Sequence, residues 1–505
     1  MKLSKEILCY LRLFSDICRI LLNITNRLMK PSTPKGTRDF SPEVMVKRNY
    51  IFDTIKNAFR NFGYAQIETP SFEHTQTLMG KYGEEGDRLI FKILRSGDIT
   101  KKGSKAMQWT KIDAAATKAL LASNEGANEL PADKLLSSSK MLKEISEKAL
   151  RYDLTVPFAR YVVQHRNDIT FPFKRFQMQP VWRADRPQKG RFQEFYQCDA
   201  DVVGSNSLWY EVELTQLYDR VFHELGLKDV SIHINNRKIL SGIAEVIGAS
   251  DQLIDMTVAL DKLDKIGEEK VKEEMFSKGM SEEAIAKIDP LFRLSGDNEA
   301  KMQSLKTLLA NSAIGMKGIE ELEFVFSKIN VLGLKTAQLE FNVTLARGLN
   351  YYTGAIFEVA ANGVEMGSIG GGGRYDDLTG IFGLKDVSGV GVSFGLARIY
   401  LVLEELGLFP DLTGASTQVL FVNFGDDEAL HAMKLIGQLR DKGINAELYP
   451  QKAKMGKQMA YADKKGIPYV VLIGEDEMKS GILKVKDMQE GNQEALSIDD
   501  LINKL

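Results

Sequence analysis

The chain is predicted to be an α+β protein: an antiparallel-sheet core carrying a helical insertion, followed by a smaller α/β domain. Three observations predict this. Two apolar–polar alternating runs, KRFQMQPVWR and RFQEFYQCDADVV, flank the turn-like segment ADRPQKG, which reads as a long β-hairpin. Residues 226–336 carry charge-rich helical patterns such as DKLDKIGEEKVKEEMF. After Pro410, strand and helix signals alternate through VLFVNF, EALHAMKLIGQLRDKG, NAELYP, KMGKQMAYADKKG and PYVVLIG, as in a βαβ-type unit with a mostly parallel sheet. A length of 505 residues suits several domains, since one holds roughly 100–200.

From the N-terminus, Leu3, Ile7, Leu11, Phe14, Cys18 and Leu21 recur at helical spacing, so residues 1–28 can form an amphipathic helix. The longest charge-free run there, between Arg19 and Arg27, is too short for a membrane span or for most signal-peptide cores. Glu6 and Asp16 argue against a transit peptide, and Met29 reads as a natural start, so residues 1–30 are expected to be a dispensable extension. Ser41–Phe62 is helical, with Val46, Tyr50, Ile51, Ile55 and Phe59 on one stripe. The chain turns at Gly63 and runs extended through AQIETPSFE, broken by Pro70. Residues 98–145 are Lys-, Ser- and Ala-rich with few aromatics, which suits a solvated insertion. Order returns at LRYDLTVPFARYV, and strand patterns resume at LARGLNYYTGAIFEVA and VSGVGVSFG before the helix LARIYLVLEEL. The expected boundaries are therefore a core in two parts, 31–225 and 337–408, an insertion at 226–336, and a last domain at 415–505.

Composition narrows the function. Hydrophobic residues are 44% and charged ones 27%, which excludes a disordered or collagenous chain. The 66 basic and 68 acidic side chains leave a net charge of −2, so nucleic-acid binding must come from local patches, such as Lys452, Lys454, Lys457, Lys464 and Lys465. Three cysteines cannot build a disulfide framework, which points to a reducing, cytoplasmic setting. The five histidines are scattered and no Cys/His pair has zinc-ligand spacing, so no protein-bound metal is expected.

Both standard nucleotide loops are absent. GVGVSFG has one residue too many between its last two glycines for a dinucleotide fingerprint, and IGGGGRYDD lacks the Lys-Ser/Thr of a phosphate loop. The hairpin says more. Parity places Gln177, Gln179, Val181 and Arg183 on one strand face, and Gln197, Asp199 and Asp201 on one face of its partner. These are either the wet face of a half-buried sheet or the lining of a site for a zwitterionic or phosphorylated ligand. Arg398 lies in the first turn of an apolar helix, against the helix dipole, and so needs an anion from a carboxylate or a ligand. Arg347, beside Gly348 and near two tyrosines, needs a partner too.

These motifs resemble the class II aminoacyl-tRNA synthetases, specifically the histidyl-tRNA synthetase family. TRDFSPE with the following helix-to-Pro70 segment resembles the dimer-forming first signature, KRFQMQPVWRADRPQKGRFQEFYQ the second and GVGVSFGLARIYLVLEEL the third. RGLNYYTG and SIGGGGRYDDL resemble the two histidine-specific signatures. The resemblance implies the class II antiparallel-sheet catalytic core, a C-terminal anticodon-binding domain, a homodimer and no membrane. It also implies a ligase that converts L-histidine and ATP, with Mg2+, to histidyl-adenylate and then charges tRNA(His).

By the same resemblance, Arg183 and Arg347 are catalytic at the α-phosphate. Phe195 stacks on adenine, and Asp185 and Arg398 complete the ATP site, Arg398 at the γ-phosphate. Asp153, Thr155 and Gln197 receive the α-amino and backbone groups of histidine, while Asp201, Tyr351 and Tyr352 surround the imidazole. Gln188 and Lys189 face tRNA. The glycines of IGGGGRYDD would let the substrate approach the backbone. Asp153 and Asp185 stand where some members carry Glu, and Asn350 where the signature often has Asp. The rival is a histidine-sensing regulatory subunit of ATP phosphoribosyltransferase on the same core. Such a paralogue is expected to lack the anticodon-binding domain or parts of RGLNYYTG, and this chain keeps both.

Overall fold

The computed structural model describes residues 31–96, 146–292, 294–346, 351–410 and 417–505. The helix expected at 1–28, the insertion at 98–145, Arg347 and Asn350 lie outside the described residues. The described residues fall into two compact units: Tyr50–Leu408 with the segment before Ser41, and Phe409–Leu505 with Ser41–Asn49.

The strands of the first unit are, in chain order, β1 (Ala65–Gln66), β2 (Phe72–His74), β3 (Lys92–Ile93), β4 (Lys148–Leu150), β5 (Phe173–Trp182) and β6 (Glu194–Val203), then β7 (Val230–Asn236), β8 (Ala337–Phe341), β9 (Ala355–Ala361), β10 (Gly370–Tyr375) and β11 (Gly389–Gly395). Among the described residues, eight of them form one sheet in the order β1-β5-β6-β11-β10-β9-β7-β8, antiparallel except for the β1/β5 and β7/β8 pairs. The remaining three form a small sheet in the order β2-β4-β3.

Strand alternation sorts the large sheet into two faces. The register matches Phe176 with Ala200, Ala200 with Val392, and Val392 with Gly372, so these positions share the apolar face with Cys198, Phe394, Val359, Ile232 and Ile234. Helix Trp209–Glu224 covers that face, its Tyr218 and Phe222 rings lying 4.8 and 5.6 Å from Phe394. Phe59 of helix Pro42–Asn61 packs 5.3 Å from Phe176 and 5.7 Å from Phe394. Each such side chain, fully buried, contributes about 1.5–3 kcal/mol. The Tyr218 hydroxyl donates to the carbonyls of Gly371 and Ser393, at 2.9 and 3.2 Å, which fixes β10 against β11 from behind.

The span 226–336 is helical from Arg237 to Leu332, but its first stretch is β7, paired between β9 and β8 in the main sheet. Val230, Ile232 and Ile234 carry a period of two there, and sheet burial overrides the helical bias that follows. At the end of β7 the Asn236 side chain accepts from the Lys238 amide at 2.9 Å and so starts helix Arg237–Ile247. That helix meets helix Ala313–Leu332 where Gly242 faces Gly315; a Cβ on Gly242 would stand 2.5 Å from the Gly315 Cα. Neighbouring Asn235 donates to the carbonyls of Val343 and Leu345, each at 2.9 Å, anchoring the chain just before the Arg347 segment.

The second unit has a sheet ordered β13-β12-β14-β15-β16, with β12 (Val419–Phe421), β13 (Ala446–Leu448), β14 (Tyr469–Leu472), β15 (Leu483–Asp487) and β16 (Gln493–Leu496). The three strands read from the sequence are parallel; β15 and β16 add an antiparallel edge. All five lysines from Lys452 to Lys465 are exposed. No helix among the described residues is long and apolar enough to cross a membrane.

Candidate functional site

The other face of the large sheet is polar and buried. Arg175 and Gln177 on β5 stand opposite Asp201 and Asp199 on β6, which in turn stand opposite Gly391 and Ser393 on β11. Arg175 and Gln177 are 0% exposed, and Asp199 and Asp201 each 2%, so this is not a solvated face. What covers it is the LRYDLT segment and the tyrosine pair. Together they enclose an inner cavity of about 30 Å³, lined by Asp153, Thr155, Asp199, Asp201, Tyr351 and Tyr375 among others. Gln197, Tyr352, Gly371, Gly372 and Ser393 line both this cavity and an open one of about 330 Å³. The outer cavity is rimmed by Arg183, Asp185, Phe195, Glu358 and Arg398.

Each side chain is held by its neighbours. Asp153 precedes helix Thr155–Gln164, and its Oδ1 accepts from the Val156 amide at 3.2 Å and the Tyr82 hydroxyl at 2.8 Å. Its Oδ2 accepts from the Tyr351 hydroxyl at 3.0 Å. Asp201 accepts from the Tyr375 hydroxyl at 2.7 Å and meets Arg175 Nη2 at 3.0 Å. That guanidinium lies 4.2 Å from the Phe158 ring and donates to the Leu154 carbonyl at 3.4 Å; Nε and Nη1 have no hydrogen-bond partner among the described residues.

Electrostatics follow from burial. Burial raises Asp153 above the usual carboxylate range, against its hydroxyl and amide donors. Burial raises Asp199 to about 7, against the pull of Arg175 and with the Asp201 charge adding to the rise. Asp201 is raised too, by burial, and held down by Arg175 and the Tyr375 hydroxyl. The Tyr351 and Tyr352 hydroxyls are pushed up by burial and by the same carboxylates, so both stay protonated donors.

Arg183 spans the mouth between the cavities. Its Nε donates to the Tyr152 carbonyl at 3.1 Å and Nη2 to Gln197 Oε1 at 3.3 Å, while its plane lies 4.4 Å from the Tyr152 ring and 5.2 Å from Phe195. Gln197 Nε2 in turn donates to Ser393 Oγ at 3.0 Å. Arg398 donates from Nε to the Gly190 carbonyl at 3.0 Å and from Nη1 to the Ser368 carbonyl at 2.6 Å. It therefore clips the tip of the β5–β6 loop to the segment leading into β10. In that loop Gln188 and Arg191 pair their backbones, Gly190 takes a left-handed φ of 72°, and exposed Lys189 reaches Glu405 at 3.0 Å. Asp185 stands 3.7 Å from Arg191.

The glycine cluster serves two ends. Gly371 lines both cavities, and a Cβ there would meet only the Phe357 carbonyl, at 3.3 Å. At Gly373 a Cβ would stand 2.7 Å from the Ala355 carbonyl and 2.8 Å from the Tyr352 ring, so that glycine makes room for protein rather than for ligand. No group of three or more His, Cys, Asp or Glu placed to hold a metal occurs among the described residues. Of the residues expected from sequence, the structure gathers Asp153, Thr155, Arg183, Asp185, Phe195, Gln197, Asp201, Tyr351, Tyr352 and Arg398 around the two cavities. Gln188 and Lys189 lie on the loop tip, outside both linings. The sequence reading passed over Arg175, Glu358, Tyr375 and Ser393. Arg175 has the same strand parity as Gln177, and Tyr375 sits four residues after Gly371, so parity could have found both.

Residues 139–399 match the family model described as histidyl-tRNA synthetase, and residues 418–505 match that described as anticodon binding domain. A histidine–tRNA ligase of Christiangramia forsetii is 64% identical over 477 residues, 94% of this chain and 99% of that relative. One of Flavobacterium johnsoniae is 62% identical over 473 residues, 94% and 98% of the two chains. Among solved structures, a histidyl-tRNA synthetase from Nostoc is 31% identical with a TM-score of 0.73, covering 94% of this chain and 99% of that one.

Proposed function

Since the chain belongs to the histidyl-tRNA synthetase family, it activates L-histidine with ATP and transfers it to the 3′ end of tRNA(His), and we propose how its two cavities divide that work. The inner cavity takes the imidazole and the outer cavity takes ATP. The observation that carries this is the junction between them: Gln197 and Tyr352 line both, and Arg183 stands on Gln197 where the two substrates must meet.

Activation requires a histidine carboxylate oxygen to attack the α-phosphorus while pyrophosphate leaves. Charge builds on the phosphoryl oxygens, so preorganised cations lower the barrier most. Arg183 is catalytic there, locked by Tyr152 and Gln197 before substrate arrives. Arg347 shares that role. Phe195 stacks on adenine, Arg398 takes the γ-phosphate, and Asp201 with Tyr351 and Tyr352 surrounds the ring. Asp153 and Thr155, with Gln197, receive the α-amino and backbone groups of histidine in the inner cavity. Magnesium, when bound, would offset the negative charge of the triphosphate as pyrophosphate leaves. Asp185 and Glu358 are carboxylates of the outer cavity that suit it, because this ion keeps several waters and needs few protein ligands.

Residues 31–225 and 337–408 form the catalytic core, the helices after Arg237 reach tRNA, and 415–505 reads the anticodon through its exposed lysines. Gln188 and Lys189 on the loop tip contact the acceptor end. The chain works as a cytoplasmic homodimer, consistent with its dimer-type first signature and with only three cysteines, too few for a disulfide framework. Relatives named histidine–tRNA ligases over nearly the whole chain favour catalysis over the regulatory reading. The test is histidine-dependent ATP–pyrophosphate exchange followed by charging of tRNA(His). Both are expected, and a purified full-length chain that binds histidine but does neither would overturn the catalytic reading.

A further inference from the structure

We propose that Arg38 is a positioning residue for ATP that acts through Phe192, so that residues 34–40 brace the nucleotide site. The proposal rests on the outer cavity being the ATP site. The β5–β6 loop supplies both arms of one cavity edge: Arg183 and Asp185 on the outgoing arm, Arg191 and Phe192 on the returning one. Arg38 lies outside that lining, yet its guanidinium carbon stands 3.3 Å from the Phe192 ring centroid and 5.0 Å from that of Phe40. A cation over a ring face is held by the negative π cloud. Phe192 is therefore fixed from one side by Arg38 while it lines the cavity.

The main chain reinforces the contact. The Gln193 amide donates to the Gly36 carbonyl at 2.8 Å, and Gly36 takes a left-handed φ of 84°. A Cβ on Gly36 would stand 2.6 Å from Gln193 Cγ, so the close approach needs glycine. Thr37 closes the turn, its amide and hydroxyl donating to the Pro34 carbonyl at 3.1 and 2.8 Å. Gln193 passes the constraint on. Its carbonyl accepts from the Arg183 amide at 2.9 Å, and its Nε2 donates to the Asp185 carbonyl at 3.0 Å. Residues 36–38 thus hold 192–193, which hold the backbone of Arg183 and Asp185. Arg398 fastens the tip of the same loop through the Gly190 carbonyl, so the loop is secured at tip and base. A loop ordered beforehand spares ATP the cost of ordering it. Arg38 and Phe40 belong to the TRDFSPE stretch, and within one chain that stretch engages the nucleotide loop.

The experiment is ATP–pyrophosphate exchange by the full-length chain, with ATP and histidine varied separately, for the wild type, Arg38→Ala, Gly36→Ala, Phe192→Leu and the double variant Arg38→Ala with Phe192→Leu. Arg38→Ala is expected to raise the KM for ATP roughly tenfold, as for a partly desolvated cation–π contact, and to leave that for histidine within about twofold. Gly36→Ala, which pushes Gln193 away, should act in the same direction. Adding Arg38→Ala to Phe192→Leu should cost little more, because the contact is already gone. If Arg38→Ala is insoluble, Arg38→Met keeps the packed stem without the charge and gives the same comparison. An unchanged KM for ATP overturns the proposal. So do both KM values rising together with a lowered melting temperature, or full additivity in the double variant. Phe195→Ala with an unaltered KM for ATP overturns the outer-cavity reading itself, whatever Arg38 does.

Discussion

Replacing Arg175 with methionine should destabilise the catalytic unit in a pH-dependent way. Methionine roughly fills the space but removes the charge that Asp199 and Asp201 share beneath the inner cavity. Breaking a buried pair by deleting one partner typically costs about 3–5 kcal/mol, because the remaining charge is left without compensation. Here the carboxyls can escape by taking up protons. Arg175 lowers both, so without it both rise further above the ordinary Asp value of 3.8. A carboxyl raised in the folded state binds a proton that the unfolded chain has released, so stability falls as pH rises from about 4 to the folded value. The loss relative to wild type should therefore be full at pH 8 and smaller at pH 6, changing by up to about 1.4 kcal/mol per pH unit for each group involved. Urea unfolding of the full chain at the two pH values reads this directly. An equal loss at both, or a loss below about 1 kcal/mol at pH 8, would refute the shared-cation reasoning.

Three further outcomes are expected. Arg347→Ala should keep the fold yet lose pyrophosphate exchange by about 10²–10³ in kcat, with smaller changes in KM; near-normal exchange with a lowered melting temperature would make Arg347 a structural residue. In the ligand-free chain, Asp199 raised to about 7 should make stability fall as pH rises from about 4 to 7, and Asp199→Asn should flatten that slope; an unchanged slope in thermal melts would contradict the assigned charge state. Deleting the helical module within 237–332 should raise the KM for tRNA while largely preserving exchange, and a selective loss of exchange would place the module in the catalytic machinery.

Much of the site was legible because strand parity is a strict rule. Gln197, Asp199 and Asp201 had to share a face once the hairpin was read, and the apolar opposite parity said which side would pack on helices. Parity could not tell a wet face from a buried one. That depends on Asp153, Tyr351 and Tyr352 arriving from segments some 40 positions before and 150 after β6 and closing over it. The same limit explains Arg175, which belongs to the alternation but reads as an exposed edge residue until Phe158 and Leu154 are seen around it. Strand β7 was masked by composition: His233, Asn235 and Asn236 dilute its apolar alternation, and a long helical run follows. Arg398 is expected to meet an anion, and two main-chain carbonyls also hold it, an arrangement that spacing alone cannot reveal.

Crystals of the full-length chain grown with histidinol and ATP test the two-cavity assignment most directly. The imidazole should lie between Asp201 and Tyr352 in the inner cavity, and adenine against Phe195 in the outer cavity with its triphosphate running toward Arg398. A ring bound in the outer cavity, or adenine away from Phe195, would contradict that assignment.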